Sequence, residues 1–66
     1  MKKVEILESS PFGNTYGGLS LVLGEDHERY LEMEDCFGPD YYGPLTDEQV
    51  AAFLLLCELP RVGYRY

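Results

Sequence analysis

The chain has 66 residues, and its twelve carboxylates against five Lys and Arg give a net charge of −7. Hydrophobic residues make up 45% and aromatics 14%, which excludes a disordered acidic tail. A chain this long forms one domain, 1-66, burying only about 60% of the surface its unfolded state exposes, and the negative charge opposes anionic lipid and nucleic acid as direct ligands.

The charges are unevenly placed. Between Val4 and Pro60 all twelve carboxylates face a single cation, Arg29, while Lys2, Lys3, Arg61 and Arg65 sit at the ends. A folded domain with such a middle must present a negative face, and self-repulsion across that face destabilises the compact state. Met1-Lys2-Lys3 looks like the charged start of a signal peptide, but Glu5 and Glu8 interrupt any apolar run after it. The longest uncharged apolar stretch, Val50 to Cys57, is too short for a bilayer. These features lead us to expect a soluble, intracellular monomer without a membrane partner. Cys36 and Cys57 allow at most one disulfide; small secreted scaffolds use more, so two reduced thiols are expected.

Lys3-Val4-Glu5-Ile6 alternates polar and apolar, as a half-buried strand does, and Leu7 breaks the alternation at a bulge or at the strand's end. Ser9-Ser10-Pro11-Phe12-Gly13-Asn14 is expected to be a turn-rich connector. Tyr16-Gly17-Gly18 leads into Leu19 to Leu23, where Leu19, Leu21 and Leu23 share one face. Gly24-Glu25-Asp26-His27 is a turn, and Glu28 to Glu34 alternates again, with Arg29, Leu31 and Met33 on one face and Glu28, Tyr30, Glu32 and Glu34 on the other. The two runs and their turn predict a hairpin. Asp35 to Pro44 is the least regular stretch, with turn signals at Gly38-Pro39-Asp40 and Gly43-Pro44.

Thr46-Asp47-Glu48-Gln49 has the form of a capping box, with Leu45 and Val50 placed as a hydrophobic staple. Asp47 and Glu48 in the first turn suit the helix dipole. Val50, Phe53, Leu54 and Cys57 form a stripe at helical spacing, and Pro60 ends the helix. Val62, Tyr64 and Tyr66 alternate with polar residues and suit a short last strand or an ordered tail. The predicted fold is α+β: a small antiparallel sheet of three strands, or four with the C-terminal one, packed against one C-terminal helix.

Same-face residues on the Glu28–Glu34 strand stand about 6.6–6.8 Å apart, close to two phosphate steps of about 3.4 Å on one DNA strand. Glu28, Glu32 and Glu34 can thus imitate a short phosphate track, which Glu25, Asp26, Asp35, Asp40, Asp47 and Glu48 extend. The competing possibility is a solvated strand face followed by a helix start. Tyr30, Tyr41 and Tyr42 are candidate interface anchors, because tyrosine buries area at little rotamer cost; alternatively, one of the Tyr41-Tyr42 pair packs on the sheet. His27 between Asp26 and Glu28 lacks the spacing of a metal site, and Cys36 with Cys57 forms no CxxC, so no metal is expected. A Cys36–His27 nucleophile and base has no local signature, and no P-loop lysine follows Gly17-Gly18. No catalytic residue, cofactor or enzymatic activity is expected.

Two functions from different classes remain. One is an inhibitory binding protein that mimics nucleic acid in a basic groove of a larger nucleoprotein machine. The other is a small acidic accessory or assembly protein. In size, in the acids Glu25-Asp26, Glu28, Glu32, Glu34-Asp35 and Asp47-Glu48, and in a compact β-rich body with one helix, the chain resembles the small acidic anti-CRISPR proteins of phages and mobile elements. It especially resembles those directed at type I surveillance complexes. The resemblance covers the whole chain as a type, without an alignable motif. It implies a bacterial host cytoplasm and a basic DNA-binding Cas subunit as partner, contacted where target duplex or its PAM is captured. An inhibitor of restriction or repair enzymes would use the same physics.

Overall fold

In a computed structural model, which describes residues 2–14 and 17–60, the chain forms four antiparallel strands and one helix. They are β1 (Lys3–Asn14), β2 (Gly17–Gly24), β3 (Arg29–Asp35), β4 (Gly38–Tyr42) and α1 (Asp47–Cys57), and the sheet order is β1-β2-β3-β4. The architecture is the expected α+β sheet and helix. The fourth strand, however, is Gly38–Tyr42, in the stretch that looks least regular in sequence; the C-terminal strand suggested for Val62–Tyr66 lies outside the described residues.

The expected hairpin is present. Leu21 pairs with Leu31 and Val22 with Tyr30 across β2 and β3. Its connection is a turn closed by His27 N–H donating to the Gly24 carbonyl at 3.0 Å, with His27 in the left-handed region at φ 67°. A type I turn followed by one left-handed residue is a common hairpin loop. The β3–β4 hairpin has Cys36-Phe37 at its tip; Asp35 Oδ1 accepts from Phe37 N–H at 2.8 Å, and Gly38 takes φ 106°.

One connector is absent. Ser9–Asn14 continues β1 rather than turning away, with a register shift between Ser9 and Gly13. Pro11 is tolerated because β1 is an edge strand, where a missing N–H costs no ladder bond. Ser10 Oγ donates to the Leu19 carbonyl and accepts from Phe12 N–H at 3.1 Å, so the irregular segment stays attached to β2. A second shift falls between Ile6 and Glu8, at the Leu7 position that breaks the sequence alternation.

The helix begins where the sequence indicates. Thr46 Oγ1 accepts from Gln49 N–H at 3.1 Å, and Gln49 Oε1 accepts from Thr46 N–H at 2.9 Å. Leu45 packs with Val50 in the cluster formed by Leu21, Val50 and Phe53, to which Leu19, Leu31 and Cys57 add. The helix therefore covers the Leu19–Leu21–Leu31 face of the sheet. Arg29 is ion-paired to Asp47, and Leu45 N–H donates to the Arg29 carbonyl at 2.8 Å, which ties the start of α1 to the start of β3.

Candidate functional site

Alternation places Val22, Tyr30 and Glu32 on the sheet face away from the helix, and all three are buried. Glu32 is the buried charge among the described residues, only 5% exposed. Its register partners are Ser20 on β2 and Tyr41 on β4. Lys3 Nζ, from β1, lies 3.0 Å from Glu32 Oε2 and donates to Oε1 at 3.1 Å, while the Tyr41 hydroxyl donates to Oε2 at 2.7 Å. Burial pushes the Glu32 carboxyl up, but the hydrogen bonds from Tyr41 and Lys3 outweigh it, and the net shift is below the ordinary value. The same bonds raise Lys3 and Tyr41. Three strands are thus joined through one carboxylate.

The expected phosphate-like row is therefore interrupted. Glu28 and Glu34 are exposed, but Glu32 between them is buried and committed to Lys3 and Tyr41. Sequence alternation assigns it to the polar face; it does not register that a lysine from β1 and a tyrosine from β4 converge over that face. Tyr30 is also buried, and its hydroxyl donates to Asp26, whose pKa is lowered by that bond and by the Glu28 N–H. The Tyr30 hydroxyl is pushed up to about 12, chiefly by Asp26. Tyr41 is half-buried and Tyr42 exposed, so the pair divides between the sheet and the surface.

The other candidates gather at the two ends of β3. Glu25, Asp26 and Glu28 in the β2–β3 connection and Asp47 and Glu48 at the start of α1 occupy one end, drawn together by the Arg29–Asp47 pair. Lys2 is at this end too, its carbonyl accepting from Glu25 N–H at 2.9 Å. Glu34, Asp35 and Asp40 occupy the other end, where Phe37 projects from the hairpin tip at 94% exposure. Over the seven steps from Glu28 to Asp35 the ends are separated by about 23 Å. Sequence reasoning missed Phe37; its signal is the two-residue spacing between Asp35 and Gly38, which leaves a bulky aromatic at a loop tip.

The same separation parts His27 from Cys36, so they form no nucleophile–base pair. Among the described residues no three His, Cys, Asp or Glu side chains come together as a metal site. Both cysteines are free thiols; Cys57 packs against the core, and burial raises its pKa. No helix among the described residues is long and apolar enough to cross a membrane. A shallow cleft of about 280 Å³ lies between the glycines of β1 and β2 and the end of β3, lined by Phe12, Gly13, Gly17, Leu19, Met33 and Glu34.

The chain matches no family model, no curated protein and no solved structure.

Proposed function

We propose that the protein is an inhibitory binding protein whose exposed carboxylates occupy a basic DNA-binding surface of a host nucleoprotein complex. The observation that supports this most is the pairing of two acidic ends on one rigid sheet: Glu25, Asp26, Glu28, Asp47 and Glu48 at one, Glu34, Asp35 and Asp40 at the other. Carboxylates held on short turns and a capped helix need little reorganisation to meet Lys and Arg that otherwise hold phosphates. Charge-assisted hydrogen bonds then fix the pose. Tyr42 and Phe37 are the exposed aromatic anchors beside these carboxylates. The resemblance to small acidic anti-CRISPR proteins makes a type I surveillance complex the target of choice and steric exclusion of target DNA the mechanism. No bond is made or broken.

The test is inhibition of target-DNA binding by a purified type I surveillance complex over a range of salt. Inhibition that weakens as salt rises is expected, because exposed ion pairs are screened. An absence of inhibition at low salt refutes the target. A second function, an accessory or assembly subunit, is favoured by the exposed apolar side chains Leu55, Leu56 and Leu59. Partner binding through that area would be insensitive to salt.

A further inference from the structure

The helix leaves part of the sheet face it covers open. Leu19 and Met33 are register partners, so alternation sets both on the face of Leu21 and Leu31. Leu19 packs against the core under α1, whereas Met33 opposite it is 42% exposed. Next to them β1 and β2 meet through glycine: Gly13 pairs with Gly18, and Asn14 with Gly17. A Cβ on Gly13 would lie 2.7 Å from the Gly17 carbonyl oxygen, so the strands come this close only without one. Backbone without side chains makes a low floor. Phe12, Leu19 and Met33 stand around it as walls of the cleft of about 280 Å³, and Glu34 and Asp35, the last residues of β3, complete its lining.

We propose that this cleft holds one arginine side chain of the protein's partner. The inference rests on the reading that the partner is basic and names the contact that would select it. Size favours a side chain over a free ligand, since ligand pockets run to about 300–1,000 Å³. Charge complementarity names the side chain. Lys2, Lys3 and Arg29 are the cations among the described residues, and none is at this end. Lys2 holds the β2–β3 connection through its carbonyl, Lys3 is paired with Glu32, and Arg29 with Asp47. Asp35 Oδ1 accepts from Phe37 N–H at 2.8 Å, which fixes this carboxylate and leaves its second oxygen free to accept another donor.

Arginine fits better than lysine. Its apolar stem can lie along Leu19 and Met33, while its planar head stacks on the Phe12 ring and forks onto carboxylates. An ammonium is more strongly hydrated and presents no fork. The adjoining recess of about 420 Å³ between Pro11, Phe12, Gly13, Leu59 and Pro60 is larger, but no carboxylate lines it, so nothing there selects a cation.

The test is a nuclear magnetic resonance titration of the isotope-labelled chain with N-acetyl-arginine amide. Backbone amides of Gly13, Gly18, Leu19, Met33 and Glu34 should shift saturably, and those of Glu25 and Glu28 should not. The neutral citrulline analogue should shift none of them, and the lysine analogue should bind more weakly. Glu34→Gln with Asp35→Asn should weaken the arginine probe about tenfold, as the loss of two exposed charge pairs allows. Glu25→Gln with Glu28→Gln should leave its binding unchanged. Should the first double variant disturb the circular dichroism spectrum, Met33→Trp fills the cleft from an exposed position and should give the same loss with both carboxylates in place. Shifts centred on Glu25 and Glu28, shifts spread evenly over all carboxylates, an equal response to lysine, or no saturable shift overturns the arginine cleft. So does binding that survives Met33→Trp. None of these readouts needs a surveillance complex. A cleft that takes arginine in a chain that inhibits no such complex refutes that target and upholds the cleft; inhibition by a chain whose cleft ignores arginine overturns the cleft alone.

Discussion

Glu32 is a buried carboxylate that stays charged because Tyr41 and Lys3 both donate to it. Its folded pKa is below the ordinary 4.5, so its contribution to stability is complete above that value and is lost as pH falls through the folded one. Asp26, lowered by the Tyr30 hydroxyl, acts in the same direction. Tyr41 and Lys3 act oppositely: the Glu32 hydrogen bond raises them above 10.0 and 10.5, so their contributions hold below those values and fade as pH rises through the raised ones. Tyr30, pushed up to about 12, adds to the alkaline loss. Urea midpoints should therefore be flat from about pH 5 to 9.5 and fall on both sides. Glu32→Gln should make the acid limb shallower; an acid limb that superimposes on the parent's would show that Glu32 is not its source. His27 offers a second residue-scale prediction. At φ 67° it has the conformation that glycine adopts freely and a β-branched residue resists. The order of stability should be His27→Gly at or above the parent and His27→Val below it by about 1–2 kcal/mol. A valine variant as stable as the parent would contradict the left-handed turn.

The two kinds of element differ in how openly the sequence states them. Helix α1 is legible because its start is local: Thr46, Gln49, Leu45 and Val50 specify the cap and the staple within six positions. Thr46→Ala should accordingly cost roughly 1 kcal/mol, and an unchanged denaturation midpoint would mean that the cap does not hold the helix. The β2–β3 hairpin is legible for the same reason, since alternation and a glycine-led turn lie side by side. The edge strands are not. Pro11 in β1 and Pro39 in β4 read as breakers, and both are accommodated because an edge offers one side that needs no ladder donor. Gly17 carries a similar hidden constraint: a Cβ there would lie 2.0 Å from the Glu34 carbonyl oxygen, so the end of β2 reaches the end of β3 only with glycine. Gly17→Ala should therefore destabilise by about 1–3 kcal/mol or force the strand ends apart; equal thermal stability would rule out the close approach. The acidic candidates were legible as residue types but not as a surface. Which carboxylates face water depends on Lys3 and Tyr41, 29 and 9 positions away from Glu32, and no local pattern reports such a meeting.

For the molecule as a whole, the acidic candidates are displayed at the two ends of the sheet. Glu25, Glu28, Asp40 and Glu48 are exposed at the ends of the sheet and at the helix start. Changing these four to Gln or Asn removes charge without touching the bonds of Glu32, Asp26 or Asp47. Stability should hold or rise slightly as self-repulsion falls, while inhibition of a DNA-binding complex should be lost, mainly through slower association. Full inhibition by the fourfold variant would mean that the acidic ends only keep the chain dispersed. The topology bears on how the molecule is made. Strand order equals chain order, so each ladder joins neighbours along the chain and requires only a short loop to close. Low sequence separation between contacts favours fast folding. The β2–β3 hairpin, closed by a four-residue connection, can form in about 1–10 μs, whereas α1 reaches the sheet only through contacts distant in sequence, such as those of Val50 and Phe53 with Leu21. A sheet that zips from neighbour to neighbour therefore has its Leu19–Leu21–Leu31 face bare until α1 docks on it, which makes helix docking the step that removes the greasiest face of the folding chain from water.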